Sequence, residues 1–412
     1  MSDLEHVVVV GASLAGLRAC ETLRQEGHTG RITLVGAETE VPYDRPPLSK
    51  KLLAGEWEPD RIRLRKPDDF ASLDLTLRFG TRATELRTDQ REVVLDDGTA
   101  FAFDGLVIAT GTTPRRLPNQ PSVDGVLELR TLADAVNLRA RIADGSARLV
   151  VIGAGFIGLE VAATARLKGC SVTVLEGAPA PMMRGLGAEM GMAAASVHAR
   201  NGVDLRCGVQ VAAIEAADGR VTGVRLADDT VVPADAVVVG VGVAPATEWL
   251  ASSGLALRDG IVCDATLNAG VPGVYAAGDC VRWHNGVFAH HDDAEMRVEH
   301  WTNAAEQGAA AARNLLAVHR GQEPTPYESV PFFWSDQFDS RIQFVGRAHG
   351  GDDVHVFAGS TDGAFAALYG WEGHLRGVLG VSMPKMVMPF RNLVGARATW
   401  EQALAKAAEL TA

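Results

Sequence analysis

The sequence predicts an α/β protein made of two copies of one parallel βαβ unit, with an α+β domain at its C-terminal end. Two glycine-rich turns, at residues 11–16 and 153–158, each follow a β-branched run and open an apolar helical pattern. The elements after each turn recur in the same order, which indicates a duplication. From about residue 325 onward, aromatic residues and short alternating runs indicate a mostly antiparallel third part.

The elements of the two copies match one by one. In the first copy the sequence predicts strand 6–10, helix 14–26, strand 31–35, a turn at 96–98 and a closing segment at 103–114. In the second copy it predicts strand 148–152, helix 156–168, strand 171–175, a turn at 228–230 and a closing segment at 234–245. Both closing segments run from an aspartate through a valine and a glycine to a proline. The two copies are therefore predicted to be Rossmann-like dinucleotide-binding domains.

The second copy interrupts the first, because another buried strand with a glycine turn follows it at 273–280. We expect a discontinuous first domain of residues 1–115 and 246–324, a second domain of 116–245 and a C-terminal domain of 325–412. A helix is predicted at 303–320, and C-terminal strands are predicted at 341–345, 354–358, 364–369 and 375–381.

Composition limits the classes of function. The net charge of −12 argues against non-specific binding to nucleic acid or to an anionic membrane. No apolar run approaches the roughly 18 residues that a membrane span needs, and the acidic start leads straight into a strand, unlike a signal peptide. A cytoplasmic protein is expected. The cysteines form no C-x-x-C pair and are interpreted as packing residues: Cys20, Cys170, Cys207, Cys263 and Cys280.

The first glycine-rich turn has the chemistry of a pyrophosphate site. Gly11 and Gly16 permit a tight turn, and the N-terminal end of the following helix stabilises phosphate charge. Ser13 stands where a middle glycine is usual and keeps the backbone accessible. Glu38 is expected to accept hydrogen bonds from a ribose, with Glu40 as its rival.

The second turn repeats this pattern and adds a prediction of cofactor choice. Glu176 ends its strand directly, where a carboxylate pairs with a ribose 2′-hydroxyl and repels a 2′-phosphate. That position favours NADH over NADPH, whereas Arg184 is the residue that could favour the phosphate instead. Two dinucleotides held at once suggest electron transfer between a nicotinamide and a bound flavin.

The run Pro42-Tyr43-Asp44-Arg45-Pro46-Pro47-Leu48-Ser49-Lys50, with both turns and Ala277-Gly278-Asp279, resembles the FAD-dependent NADH:ferredoxin reductases. These enzymes serve bacterial cytochromes P450 and Rieske oxygenases, and the resemblance covers nearly the whole chain. It implies that FAD occupies the first domain and NAD the second, and that the partner is a 2Fe–2S ferredoxin. The chain is also similar to apoptosis-inducing factor, to rubredoxin reductases and to the flavoprotein parts of nitrite reductases.

The resemblance also implies site residues. Lys50 and Glu160 would form a pair beside the flavin and the nicotinamide and would act as the catalytic residues. FAD would be bound by Gly11, Ser13, Leu14, Ala15, Gly16, Glu38, Arg45, Lys50, Ala109, Thr110, Gly111, Arg130, Gly278, Asp279 and Trp301. NAD would be bound by Gly153, Gly155, Phe156, Ile157, Gly158, Glu160, Glu176, Arg184 and Gly242. Trp334 would lie close to the point where electrons leave.

Other patterns leave alternatives open. His290-His291-Asp292-Asp293 is interpreted as a polar loop, since adjacent residues rarely point at one ion, and no metal site is expected. The run Arg61-x-Arg63-x-Arg65-Lys66 is either a solvated face or a docking patch for an acidic partner. NADH peroxidases and disulfide reductases place a cysteine just after the stretch equivalent to 38–50, and this chain has none there. Rubredoxin reduction and a non-catalytic, NADH-sensing role remain alternatives, and a monomer or weak homodimer is expected.

Overall fold

A computed structural model describes residues 4–289 and 294–412. The predicted polar loop His290-His291-Asp292-Asp293 lies outside the described residues. The helices are α1 (Leu14–Gln25), α2 (Pro67–Ala71), α3 (Leu132–Arg141), α4 (Phe156–Leu167), α5 (Met183–Leu186), α6 (Ala188–Arg200), α7 (Trp301–His319), α8 (Arg391–Gly395) and α9 (Trp400–Thr411).

The strands follow the chain in three groups. Up to the first closing segment they are β1 (His6–Val10), β2 (Arg31–Gly36), β3 (Leu75–Phe79), β4 (Ala83–Arg87), β5 (Glu92–Leu95), β6 (Ala100–Ala102), β7 (Gly105–Ile108) and β8 (Thr112–Pro114). The second copy and its flanks contain β9 (Val126–Leu127), β10 (Arg148–Ile152), β11 (Ser171–Glu176), β12 (Asp204–Cys207), β13 (Val211–Ala217), β14 (Arg220–Leu226), β15 (Val231–Pro233), β16 (Ala236–Val239) and β17 (Val243–Pro245). The remainder are β18 (Ile261–Cys263), β19 (Val274–Ala276), β20 (Val281–His284), β21 (Glu295–Met296), β22 (Phe332–Gln337), β23 (Ser340–Gly346), β24 (Asp353–Gly359), β25 (Phe365–Trp371) and β26 (His374–Val381).

The described residues form two compact units. Unit 1 comprises the described residues of Met1–Asp44, Ile62–Thr113 and Ala244–Pro331, and unit 2 comprises Arg45–Arg61, Pro114–Val243 and Phe332–Ala412. The Arg45–Arg61 segment and the C-terminal residues thus fall in the same unit as the second copy. Compact units and homologous domains are different divisions of a chain, so the domain boundaries given above remain a prediction.

Unit 1 is built on a five-stranded sheet in the order β19-β7-β1-β2-β3, with parallel pairing throughout. Every residue of β1 is buried, as expected for a strand covered on both faces. Helices α1 and α7 pack so closely that a Cβ on Gly308 would lie 2.2 Å from the Ala15 carbonyl oxygen. Strands β4, β5 and β6 form a separate antiparallel sheet.

Unit 2 repeats this plan and adds a second sheet. Its five-stranded parallel sheet has the order β12-β11-β10-β16-β9, and β13, β14 and β15 form the matching antiparallel sheet. In both units the fifth strand, β19 or β9, comes from outside the copied segment. The predicted α/β fold with a duplicated parallel unit is therefore confirmed. The C-terminal part of unit 2 forms a five-stranded antiparallel sheet in the order β22-β23-β26-β25-β24. An antiparallel arrangement was predicted there, although strand β22 was not.

Within the described ranges, no helix combines the length and the apolar character that crossing a bilayer requires. In the same part of the chain, no group of three or more His, Cys, Asp or Glu side chains could hold a metal ion.

Candidate functional site

The first glycine-rich turn is fixed by backbone contacts in unit 1. Gly11 has a φ of +115°, and a Cβ there would lie 2.1 Å from the Ala109 carbonyl oxygen. A Cβ on Gly16 would lie 1.8 Å from the Gly11 carbonyl oxygen. Both glycines are therefore required by the turn itself, which brings β1, the start of α1 and the segment after β7 together. Ser13, Leu14 and Ala15 stand at the N-terminal end of α1, and Thr110 and Gly111 directly follow Ala109.

The second turn has the same geometry in unit 2, with one informative difference. Gly153 has a φ of +106° and would place a Cβ 2.3 Å from the Gly240 carbonyl oxygen, and Gly158 would place one 2.2 Å from that of Gly153. Gly155, however, has an ordinary φ of −74°, and none of the described atoms lies within 4 Å of its Cβ position. The chain's own packing does not require this glycine. The open space at the N-terminal end of α4 fits a dinucleotide pyrophosphate.

The acids beyond the two turns are held differently. Glu176 is the last residue of β11, and its carboxylate oxygens accept hydrogen bonds from the backbone N–H groups of Ala154 and Ala178, each at 2.7 Å. In the first copy the matching strand end is Gly36, where a Cβ would lie only 2.6 Å from that of Ala12. The acid there is Glu38, two residues further on, and its carboxylate accepts a hydrogen bond from the Tyr43 hydroxyl.

The remaining predicted FAD residues of unit 1 lie at strand and helix ends. Gly278 has a φ of +83°, and its N–H donates to Gln307 Oε1 at 2.9 Å. Gln307 is fully buried on α7, and its Nε2 has no hydrogen-bond partner among the described residues. An orphaned buried donor beside the Gly278–Asp279 turn fits a polar cofactor there. Sequence reasoning missed Gln307, because one glutamine in an alanine-rich helix carries no distinctive signal. Trp301 Nε1 donates to Asp44 Oδ1 at 2.7 Å.

Lys50 and Glu160 form an ion pair in unit 2. Lys50 Nζ lies 2.9 Å from Glu160 Oε2, and only 6% of the Glu160 side chain is exposed. Lys50 follows a 3-10 turn, Pro46–Ser49, that is anchored on α4: the Ser49 hydroxyl donates to Glu160 Oε2 at 2.5 Å, and Thr164 Oγ1 donates to the Ser49 carbonyl oxygen at 2.8 Å. Thus the cation and its carboxylate are held by the same helix that the second glycine turn begins. The Arg45 guanidinium donates to the Arg130 carbonyl oxygen.

A second serine completes the environment of Glu160. Ser335, fully buried on β22, donates to Glu160 Oε1 at 2.7 Å. Both carboxylate oxygens thereby receive hydrogen bonds, which offsets part of the cost of burying the charge. This serine was not predicted, because a polar residue in an aromatic run gives no sign of which acid it contacts 175 positions away.

Other predicted NAD residues surround the N-terminal end of α4. The Phe156 ring packs edge-on against Phe333 with 4.8 Å between centroids, and the Ile157 side chain is 51% exposed. Gly242 has a φ of +100°, and its Cβ position lies 3.2 Å from an Arg184 guanidinium nitrogen. Arg184 and Gly242, which the prediction assigned to one ligand, are thus neighbours.

The residues predicted for electron exit and docking have mixed surroundings. Trp334 stacks on Phe332 with 6.1 Å between centroids. Of the basic run, Arg61 lies over the Trp57 ring, 4.4 Å from its centroid, whereas Arg65 donates to the buried Glu21 carboxylate at 2.6 Å. Arg65 therefore serves an internal ion pair, and docking at this run remains a prediction.

The cysteines have no redox geometry. All five are free, and four are buried. Burial raises the pKa of the Cys20 thiol to about 12, and burial likewise holds the pKa of Cys263 well above its ordinary value. These thiols stay protonated at neutral pH, so they are poor nucleophiles.

Two Rossmann-type turns with separate acids, and no reactive thiol among these cysteines, define an oxidoreductase that uses two dinucleotides. Residues 5–308 match the model of the pyridine nucleotide-disulphide oxidoreductase family, and residues 332–410 match that of the reductase C-terminal domain. The chain belongs to the pyridine nucleotide-disulphide oxidoreductase family. It is an enzyme of that family, with FAD and NAD as its cofactors.

Full-length relatives narrow the class. The chain is 40% identical to rhodocoxin reductase of Rhodococcus erythropolis over 390 residues, which covers 94% of this chain and 89% of that protein. It is 39% identical to the ferredoxin–NAD⁺ reductase component of the p-cumate 2,3-dioxygenase system of Pseudomonas putida, covering 85% and 83%. The solved covalent putidaredoxin reductase–putidaredoxin complex matches with a TM-score of 0.89 at 36% identity, covering 95% of this chain and 93% of that one.

Proposed function

We propose that the protein is an NADH-dependent reductase that delivers electrons to a 2Fe–2S ferredoxin, which in turn supplies a cytochrome P450 or a Rieske oxygenase. Relatives whose names describe such reductases match over most of their own length. The ion pair between Lys50 and the buried Glu160 is the observation that carries the proposal. It places a cation against Glu160, a residue of the helix that follows the second glycine-rich turn.

When bound, FAD would accept a hydride from NADH and release its electrons singly to a one-electron acceptor. The residues of unit 1 that would hold it are the Gly11–Gly16 turn, Glu38 and the Gly278–Asp279 turn, with Gln307 as an addition to the predicted set. Arg45 and Lys50 are further residues that the family resemblance assigns to FAD. The buried donor on Gln307 supports this assignment, and the open cradle at Gly155 supports the assignment of NAD to the second turn.

Lys50 stabilises negative charge in the reacting region, and Glu160 holds the ammonium in place. A preorganised cation at the point where charge develops is worth more in a water-poor site than in solvent. We therefore expect Lys50→Ala and Glu160→Ala each to slow reduction by NADH, by about tenfold or more, while the NADPH rate stays below that of NADH.

Anaerobic stopped-flow absorbance tests the proposal. The FAD-loaded protein is mixed with NADH or NADPH, and then with a 2Fe–2S ferredoxin or, in parallel, a rubredoxin. Bleaching by NADH and reoxidation by ferredoxin are the expected results. Faster reoxidation by rubredoxin would move the acceptor assignment to rubredoxin, and a failure of NADH to bleach the protein would favour a non-catalytic, NADH-sensing role.

We also infer a cytoplasmic monomer or weak homodimer. The five free cysteines support a reducing compartment, where thiols persist. Cell fractionation and sedimentation velocity are the corresponding tests, and a membrane-bound fraction or a stable higher oligomer would contradict the inference.

A further inference from the structure

A chain of buried polar side chains extends from Glu160 into the interior of unit 2. Ser335 donates to Glu160 Oε1 at 2.7 Å, and Gln337 Nε2 donates to the Ser335 hydroxyl oxygen at 3.1 Å. His198, on α6, lies with its Nε2 at 2.9 Å from Gln337 Oε1. Ser335, Gln337 and His198 are all 0% exposed. Burying three polar residues away from solvent costs free energy unless each finds hydrogen-bond partners inside the protein.

The Glu160 carboxylate fixes the direction of every hydrogen bond in this row of polar side chains. A Glu160 carboxylate can only accept, so the Ser335 hydroxyl must donate to it and must accept from the Gln337 amide nitrogen. The Gln337 carbonyl oxygen then faces His198, whose Nε2 must carry the proton. All three donors consequently point toward the carboxylate, and hydrogen bonds aligned in one direction polarise and strengthen one another.

His198 has the protonation state that a donor to Gln337 needs. Burial lowers the pKa of His198, so the ring is neutral at physiological pH and has a single N–H to give. Its Nδ1 has no hydrogen-bond partner among the described residues, and the ring packs edge-on against Phe338 at 5.2 Å between centroids. The Nε2 nitrogen is therefore the one that donates, toward Gln337.

We infer that Ser335 and Gln337, oriented by His198, are positioning residues that hold the Glu160 carboxylate in the geometry that presents the Lys50 ammonium to the reacting rings. The inference rests on the proposed function, because it acts through the Lys50–Glu160 pair. Strand β22 supplies both residues from one face: the side chains of Ser335 and Gln337 are buried, while Asp336 between them is only half-buried. Loss of the Ser335 hydroxyl leaves Glu160 Oε1 without this donor and concentrates the carboxylate's charge on Lys50.

Ser335→Ala is the central test, in the FAD-loaded full-length protein. We expect the limiting rate of flavin reduction by NADH to fall about tenfold, as for loss of a hydrogen bond to a charged group. The NADH dissociation constant should change by less than about twofold, because substrate binding does not depend on this bond. The flavin midpoint potential should become more negative. Ser335→Thr, which keeps a hydroxyl, should restore most of the rate, and Gln337→Met should produce a smaller loss in the same direction.

Two control variants separate positioning from general destabilisation. Ser340→Ala removes another buried hydroxyl from the neighbouring strand β23, one that accepts from Ser382 at 3.2 Å. Asp336→Asn alters a residue of β22 on the opposite face from Ser335 and Gln337, and its carboxylate lies 3.5 Å from the Arg341 guanidinium. Both should be reduced by NADH at the wild-type rate. FAD content and thermal midpoint are measured for every variant.

The decisive comparison is made in a Glu160→Gln background. A residue that acts through the carboxylate loses its influence once the charge is gone, so Ser335→Ala should then change the rate by less than about twofold. An equal loss in both backgrounds, an equal loss in Ser340→Ala, or a wild-type rate in Ser335→Ala would overturn the inference. If the wild-type protein itself is not reduced by NADH, the proposed function fails, which is a distinguishable result.

Discussion

Glu176 offers a sharp test of how the second dinucleotide site chooses its ligand. Its two oxygens are fixed by backbone N–H groups at 2.7 Å each, so the charge cannot move away from a ligand. A 2′-phosphate at about 5 Å from this carboxylate would be repelled by roughly 3 kcal/mol per pair of unit charges at an effective dielectric constant of about 20. That energy corresponds to a discrimination of about a hundredfold.

Glu176→Gln removes the charge and keeps one acceptor oxygen for the backbone. We expect kcat/KM for NADPH to rise by about a hundredfold as the repulsion is removed, and kcat/KM for NADH to fall by roughly tenfold because the ribose hydrogen bond weakens. The ratio of kcat/KM for NADH to that for NADPH should therefore fall by about a thousandfold. Steady-state reduction of an artificial acceptor measures kcat/KM for NADH and for NADPH. Asp204→Asn is the matched control, since it removes an exposed charge of the same sheet that pairs with Arg206. If the ratio stays constant in Glu176→Gln, or if Asp204→Asn shifts it equally, local repulsion is not what selects the cofactor.

Two further outcomes follow from glycine contacts and from thiol burial. Gly155→Ala should leave the thermal midpoint unchanged but weaken NADH binding about tenfold, because the new methyl group occupies the open cradle. Gly158→Ala should lower the thermal midpoint, because its Cβ would lie 2.2 Å from the Gly153 carbonyl oxygen. Calorimetry and NADH titration distinguish the two variants, and equal thermal midpoints would contradict the contact argument. Burial raises the pKa of the Cys20 thiol from 9.0 to about 12, so between pH 9 and pH 12 only the unfolded state loses this proton. The free energy of unfolding should therefore fall by about 1.4 kcal/mol per pH unit over that range. Cys20→Ala should abolish this part of the pH dependence in denaturant titrations, and an unchanged pH dependence would contradict the prediction.

The duplicated core could be predicted because its signals are local. Buried valine runs lead directly into glycine turns, and strand bounds such as His6–Val10 and Arg148–Ile152 match the prediction to the residue. Strand β22 escaped prediction for a physical reason: its more buried face carries Ser335 and Gln337, so apolar periodicity points to the wrong face. Helix α9 was missed as well, although its Thr399 capping box is a sequence signal.

Some residues of the candidate site could likewise be predicted from local sequence patterns, and others could not. The glycine turns and their acids follow from patterns within a few tens of residues, whereas the pairing of Lys50 with Glu160 was implied only by resemblance to a family. Nothing local relates two residues that meet through the anchoring of one short turn on a distant helix. Neither local patterns nor the family resemblance indicated Ser335, Gln337 or Gln307. The contacts of such single polar residues are made with partners far away in sequence.

The closeness of Gly36 to Ala12 has a consequence for redesign of the first nucleotide site. Transplanting the acid of the second copy onto the equivalent strand end would require a side chain at Gly36, where a Cβ would lie 2.6 Å from the Ala12 methyl group and 3.2 Å from the Phe79 ring. Such an exchange therefore needs at least two coordinated substitutions, of which the first must shrink Ala12. The two copies share one fold, but a single substitution at Gly36 does not fit an acid at the first strand end.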